Sequence, residues 1–156
     1  MPTAPAVTAA SLGAWLVKAD PAGGAVARLA RDGFRDVSTR CVRASYRTRL
    51  VRAGQPVLLW VSGADARHPA GIHAAGRTTG PVEDGPDGLV VPVELRVVDP
   101  YVPRAALLAD PRLAGLEVLR FAAGSNPSYL DVTQYAALRT VFPQVDQGDR
   151  PGGRTA

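Results

Sequence analysis

The sequence predicts a small α+β domain in which a strongly curved sheet or small barrel carries short flanking helices. Three observations lead there. An apolar run, Val57-Leu58-Leu59-Trp60-Val61, is rich in the branched and aromatic residues that suit a pleated, buried surface. After a polar break at residues 62–69, a short small-residued run, Gly71-Ile72-His73-Ala74-Ala75-Gly76, sets off again, so two strands are joined by a loop longer than a tight hairpin. Gly71, Gly76 and Gly80 weaken an ordinary strand and point to bulges, bends or close backbone approach, which a strongly curved sheet needs.

The chain has 156 residues and is 46% hydrophobic, enough for one domain with a sizeable core. The domain is expected over 12–143. Residues 1–11, alanine, proline and threonine without a period, and residues 144–156, polar and glycine-rich, read as disordered tails. The amino terminus lacks the basic and apolar regions of a signal peptide. No run approaches the roughly 18 apolar residues that span a membrane. The single cysteine, Cys41, excludes an intrachain disulfide and a multi-cysteine zinc site, and a cytoplasmic location is expected. Net charge is +4, and Lys18 is the sole lysine beside many arginines. Codon bias in a GC-rich genome accounts for part of this. Guanidinium forks nevertheless match phosphate and stack on bases, which favours a nucleic-acid partner.

In chain order, residues 14–17 read as a first strand, stopped by Pro21. Residues 22–31 read as a short helix with Val26, Leu29 and Ala30 on one face, and Gly33 as its stop. Residues 34–44 alternate imperfectly, as a strand; residues 45–51 read as a helical turn. Gly54-Gln55-Pro56 turns the chain into the central strand. Residues 81–88 form a surface turn. Residues 89–98 form a long strand with an irregularity at Pro92, ended by residues 99–103. A short helix follows over 104–109, with Pro103 near its first turn, then a helical turn over 112–115. Residues 116–121 fit strand or helix equally. A polar loop at 124–128 leads to an extended 129–132. Thr133 then caps a helix over 134–141, with Tyr135, Leu138 and Phe142 on one face.

The chain has no GxGxxG, GxxxxGKS/T, HExxH or GxSxG, so the common phosphate-loop, metalloprotease and hydrolase chemistries have no foothold. No catalytic residue, cofactor or metal site is expected, and the protein reads as non-enzymatic. His68 and His73 lack local acidic or sulfur partners and read as a loop and a strand histidine; Cys41 reads as a small hydrophobe. Glu83, Asp84 and Asp87 form a solvated acidic turn. Arg40, Arg43, Arg47, Arg49 and Arg52 cluster with Tyr46, a pattern that suits a phosphate backbone and a stacked base, or a merely solvated face. Trp15 and Trp60 on short strands fit core positions. Trp60 and Ser62 share one side of their strand, so they also fit the floor of a small pocket.

Taken in order, the segments Trp15-Leu16-Val17-Lys18, Ala44-Ser45-Tyr46-Arg47, Gly54 through Gly63, Gly71 through Gly76 and Asn126-Pro127-Ser128 resemble the EVE family of the PUA-like superfamily, relatives of the YTH domains. The resemblance spans roughly 12–142 and rests on order and spacing. It implies a small, strongly bent mixed β-barrel of PUA-like type with flanking short helices and one concave pocket. It also implies recognition of a single modified base flipped from a DNA or RNA strand, and no membrane partner. Carried over by position, the pocket comprises Lys18, Ser45, Tyr46, Trp60, Ser62 and Asn126. Tyr46 or Trp60 would stack on the base, Ser45, Ser62 and Asn126 would read its edge, and Lys18 and Arg43 would meet phosphate or an exocyclic oxygen. Arg43, Arg47 and Arg49 are the phosphate-binding candidates. The rival expectation is a small-molecule or protein-interaction module on the same barrel, its cavity filled by its own side chains.

Overall fold

The computed structural model describes residues 6–19, 31, 33–34, 38–62, 69–121 and 126–149. Among them seven strands form one curled, half-barrel sheet: β1 (Leu12–Ala19), β2 (Thr39–Cys41), β3 (Pro56–Val61), β4 (Gly71–Thr78), β5 (Glu83–Gly85), β6 (Gly88–Pro103) and β7 (Ser128–Asp131). The order is β2-β6-β4-β3-β1-β7, with β5 paired to β6. β1 runs parallel to β3 and every other pairing is antiparallel. Among the described residues three short helices, α1 (Arg104–Ala109), α2 (Glu117–Arg120) and α3 (Val132–Val141), accompany it, so the class is α+β with a bent, mixed sheet. No helix among the described residues is long and apolar enough to cross a membrane.

The curvature has local causes. β4 is pressed against β6 so closely that a Cβ on Gly76 would overlap the Glu94 carbonyl oxygen. Register shifts interrupt β3/β4 between Leu59 and Trp60, and β4/β6 between Ile72 and Ala74. Such bulges bend a strand and increase its twist. The bulge at His73 also explains why the long strand does not stop near Asp99, as the prolines imply. β6 continues to Pro103, with Pro100 in the bulged part, where no ladder N–H is required, and His73 stacks on Tyr101 at 4.5 Å. Pro92 lies where β6 exchanges β2 for β4 as partner.

Both faces of the sheet are buried, so the strands read as apolar runs rather than alternating ones. Within the curl, Trp15 and Val17 of β1 meet Val57, Leu59, Val91, Val93 and Val42, residues drawn from far-apart strands. The Trp15 indole N–H is satisfied by Gln55 Oε1 at 2.8 Å. On the outer face, Leu16, Leu58, Trp60 and Ile72 pack under Leu107, Leu116, Leu119, Tyr135 and Leu138 from the helices and the turns between them.

Several expectations change. Of the strand expected over 34–44, residues 35–37 lie outside the described residues, β2 is a strand, and residues 42–44 are not; Phe34 is buried at φ 66, in the left-handed region, which cannot be part of a strand. The expected turn at 81–88 contains β5, hairpinned onto β6. The open segment 116–121 contains helix α2. Helix α3 is capped by Asp131 rather than Thr133: Gln134 N–H donates to Asp131, and the Gln134 side chain accepts from the Asp131 N–H, a reciprocal capping box. The expected tails each hold an apolar anchor: Val7 is buried, and Val145 on the 3-10 helix Pro143–Asp149 joins the outer core. The helix expected over 22–31 lies outside the described residues except Arg31, and so does His68.

Candidate functional site

The sheet's two edges, β2 and β7, are brought round towards each other, and the residues just beyond β2 meet those just before β7. Arg43 N–H donates to the Asn126 carbonyl at 2.8 Å, and Asn126 Nδ2 donates to the Cys41 carbonyl at 2.9 Å. This seam is reinforced from the 3-10 helix Tyr46–Leu50. Its first turn is set by Ser45, whose hydroxyl accepts from Arg47 N–H. That turn directs the Arg47 guanidinium across the gap. Nη1 and Nη2 each donate to one Glu117 oxygen at 2.8 Å, and Nη1 also donates to the Pro127 carbonyl at 3.0 Å. Ser128 Oγ donates to Glu117 at 2.7 Å. The guanidinium lies 5.0 Å from the Tyr129 ring centroid.

Lys18, near the end of β1, and Arg47 both act on the Glu117 carboxylate, and Arg43 acts on Lys18. Burial lowers the Lys18 ammonium pKa; Glu117 opposes this, and Arg43 and Arg47 add to it. Burial works against the Glu117 carboxylate, but the hydrogen bonds from Arg47 and Ser128 and the nearby cations hold its pKa below the ordinary value. Arg47 is held above its own, chiefly by its hydrogen bond to Glu117. Among the described residues two side-chain polar atoms are sealed from solvent without a hydrogen-bond partner, Asn126 Oδ1 and Arg40 Nε. Each costs about 1–3 kcal/mol if nothing meets it. With Asn126 Nδ2 committed to the Cys41 carbonyl, the orphan Oδ1 is oriented as an acceptor.

The structure brings Lys18, Arg43, Ser45, Tyr46, Arg47 and Asn126 to this seam. Tyr46 stays 43% exposed, with its hydroxyl accepting from Val7 N–H, so its ring is both positioned and accessible. Ser62 follows β3, its N–H extending the β1/β3 pairing to the Ala19 carbonyl at 3.1 Å, and among the described residues no hydrogen bond joins it to the seam's other side chains. Two assignments are corrected. Trp60 is 2% exposed under the helices and floors no pocket, because its alternation places it with Leu58 and Ile72 in the outer core. The Arg47 guanidinium, expected on phosphate, has its Nη1 and Nη2 taken up by Glu117 and so acts as a cross-link within the protein. Arg49 is exposed on the 3-10 helix, where its carbonyl accepts from Arg52 Nη1 at 3.2 Å. Glu117 and Ser128 were missed: nothing local in the sequence pairs position 117 with position 47.

No family model matches the chain, and no curated protein matches its sequence. Solved structures do share the fold. The NMR structure of Rpa0253 from Rhodopseudomonas palustris is 15% identical with a TM-score of 0.62, covering 85% of this chain and 94% of that one. A hypothetical protein from Leishmania major is 16% identical with a TM-score of 0.63, covering 88% and 98%. Atu2648 from Agrobacterium tumefaciens is 11% identical with a TM-score of 0.61, again covering 88% and 98%. At such identities the likeness shows a common curled-sheet fold.

Proposed function

We propose that this chain is a non-enzymatic nucleic-acid-binding domain of PUA-like, EVE type that reads a modified base at the β2/β7 seam. The observation that carries the reading is the convergence there of Lys18 and Arg43, beside the Arg47–Glu117 ion pair, with the accessible ring of Tyr46. A strand would be held by its phosphates on Arg43 and Lys18 and by a base stacked on Tyr46, with Ser45 and Asn126 at the base edge. Trp60 has no part in it.

The test is fluorescence anisotropy of the purified protein with single- and double-stranded oligonucleotides that differ in one modified base, over a range of salt. The reading expects one modified strand to bind at least about tenfold tighter than its unmodified match, and Tyr46→Ala to cost about 1–3 kcal/mol of binding. It also expects Arg43→Ala to weaken all strands and reduce the salt slope by about 1. Equal affinity for modified and unmodified strands rejects it. The sealed Trp60 and the filled interior of the curl favour the second reading, an interaction module whose cavity is occupied by its own side chains. That reading expects no oligonucleotide binding.

A further inference from the structure

Arg40 on β2 holds a half-buried guanidinium that no anion of the protein meets. Its strand neighbours Thr39 and Cys41 are exposed, so alternation turns Arg40 the other way, into the curl. There Nη2 donates to the Lys18 carbonyl at 2.9 Å. Successive carbonyls of a strand point to opposite sides. The Ala19 carbonyl is taken by Ser62, just past β3, so that of Lys18 faces away from β3, on the side where β7 pairs. β7 follows β1 only as far as Leu16, opposite Ser128, and the residues before it turn off to meet Cys41 and Arg43. The Arg40 guanidinium therefore lies in the gap where the ladder ends, between β2 and the last residues of β1.

Most of its donors are unspent. Nε is sealed without a partner; Nη1 donates to no group among the described residues and is not sealed, so it opens to solvent. No described carboxylate pairs with Arg40, whereas the fork of Arg47 is taken by Glu117. Burial lowers the Arg40 pKa, and only Cys41 opposes it. A cation with one neutral partner and an orphan N–H is held there against a cost. An anion arriving at Nη1 offsets that cost. A guanidinium matches the oxygens of phosphate, and Arg43, exposed three residues on, adds charge of the right sign.

We propose that Arg40 is a phosphate-binding residue, its Nη1 donating to an oxyanion seated in the gap between β2 and the end of β1. The phosphate belongs to a strand if the base-reading function above holds, and is a free phosphate otherwise. Two arms separate these sources. In the first, thermal unfolding is followed at fixed ionic strength while chloride is replaced by tens of millimolar inorganic phosphate. The wild type should gain about 2 °C or more over Arg40→Gln. In the second, fluorescence anisotropy compares a single-stranded oligonucleotide with versions in which one phosphodiester at a time is a neutral methylphosphonate. One linkage should matter by about tenfold in the wild type and by less than about twofold in Arg40→Gln, the scale of one charge-assisted hydrogen bond. Arg40→Gln should also reduce the salt slope by about 1. A phosphate shift alone supports the site with a free phosphate as its ligand; a linkage coupled to Arg40 supports it with a strand. Neither a shift nor a coupled linkage overturns the inference, and leaves the base reader standing wherever a modified strand still binds preferentially. Should Arg40→Gln fail to fold, the wild type decides. The sealed Arg40 Nε–H is protected from exchange, so its proton–nitrogen NMR signal should be resolved and should move on adding phosphate or the strand. A signal unmoved by both overturns the proposal.

Discussion

Where β4 lies between β3 and β6, the chain is joined by backbone ladders and apolar side chains; at the β2/β7 seam, a few polar side chains make the join. In the first region Gly76 allows strands to touch and Trp60, Leu58 and Ile72 are sealed beneath the helices. In the second, closure depends on a backbone bond from Arg43 to Asn126 and on the Asn126 amide, the Arg47 guanidinium, the Glu117 carboxylate and the Ser128 hydroxyl. Burial by many contacts tolerates no rearrangement. A polar clasp leaves donors, acceptors and charge near the surface, where a ligand can use them. The contrast separates the part that holds the fold from the part that is able to recognise.

Substitutions sharpen that contrast. Trp60→Ala, in the apolar region, should have the largest effect, about 3–5 kcal/mol from lost burial and a cavity; chemical denaturation measures it. A cost under 1 kcal/mol would place Trp60 outside the core. At the seam, Arg47→Ala should cost about 2–4 kcal/mol, because it leaves the half-buried Glu117 uncompensated. The Glu117 pKa lies below its ordinary 4.5 when folded, so its stabilisation is complete above that value and is lost as pH falls through the lowered one. Acid unfolding of Glu117→Gln should therefore be less steep below about pH 4.5 than that of the wild type, and identical profiles would detach Glu117 from the clasp. Smallest is Asp131→Ala, which removes the α3 cap: about 1 kcal/mol in thermal unfolding, with seam and sheet otherwise intact.

The strands with strong apolar runs, β1, β3, β4 and most of β6, were legible because burial on both faces writes itself into composition. Local chemistry also placed the 3-10 helix near Ser45 and helix α1. The prolines at 100 and 103 misled, since their meaning depends on the opposing bulge at His73, which a single strand does not reveal. The site was legible in part. Lys18, Arg43, Ser45, Tyr46 and Asn126, grouped by the order and spacing of the resemblance, do lie together at one seam. Trp60 was misassigned because alternation tells which residues share a side but not which side is covered. The Arg47–Glu117 pair was invisible because it joins positions 70 apart in the chain.

One side-chain amine in the whole chain, set at the clasp, has a practical corollary. An acylating, carbamylating or cross-linking reagent that seeks primary amines finds a single side-chain target. Any such adduct outside the chain terminus is therefore attached at Lys18, giving a ready-made, one-point attachment for a reporter beside the surface where recognition is proposed.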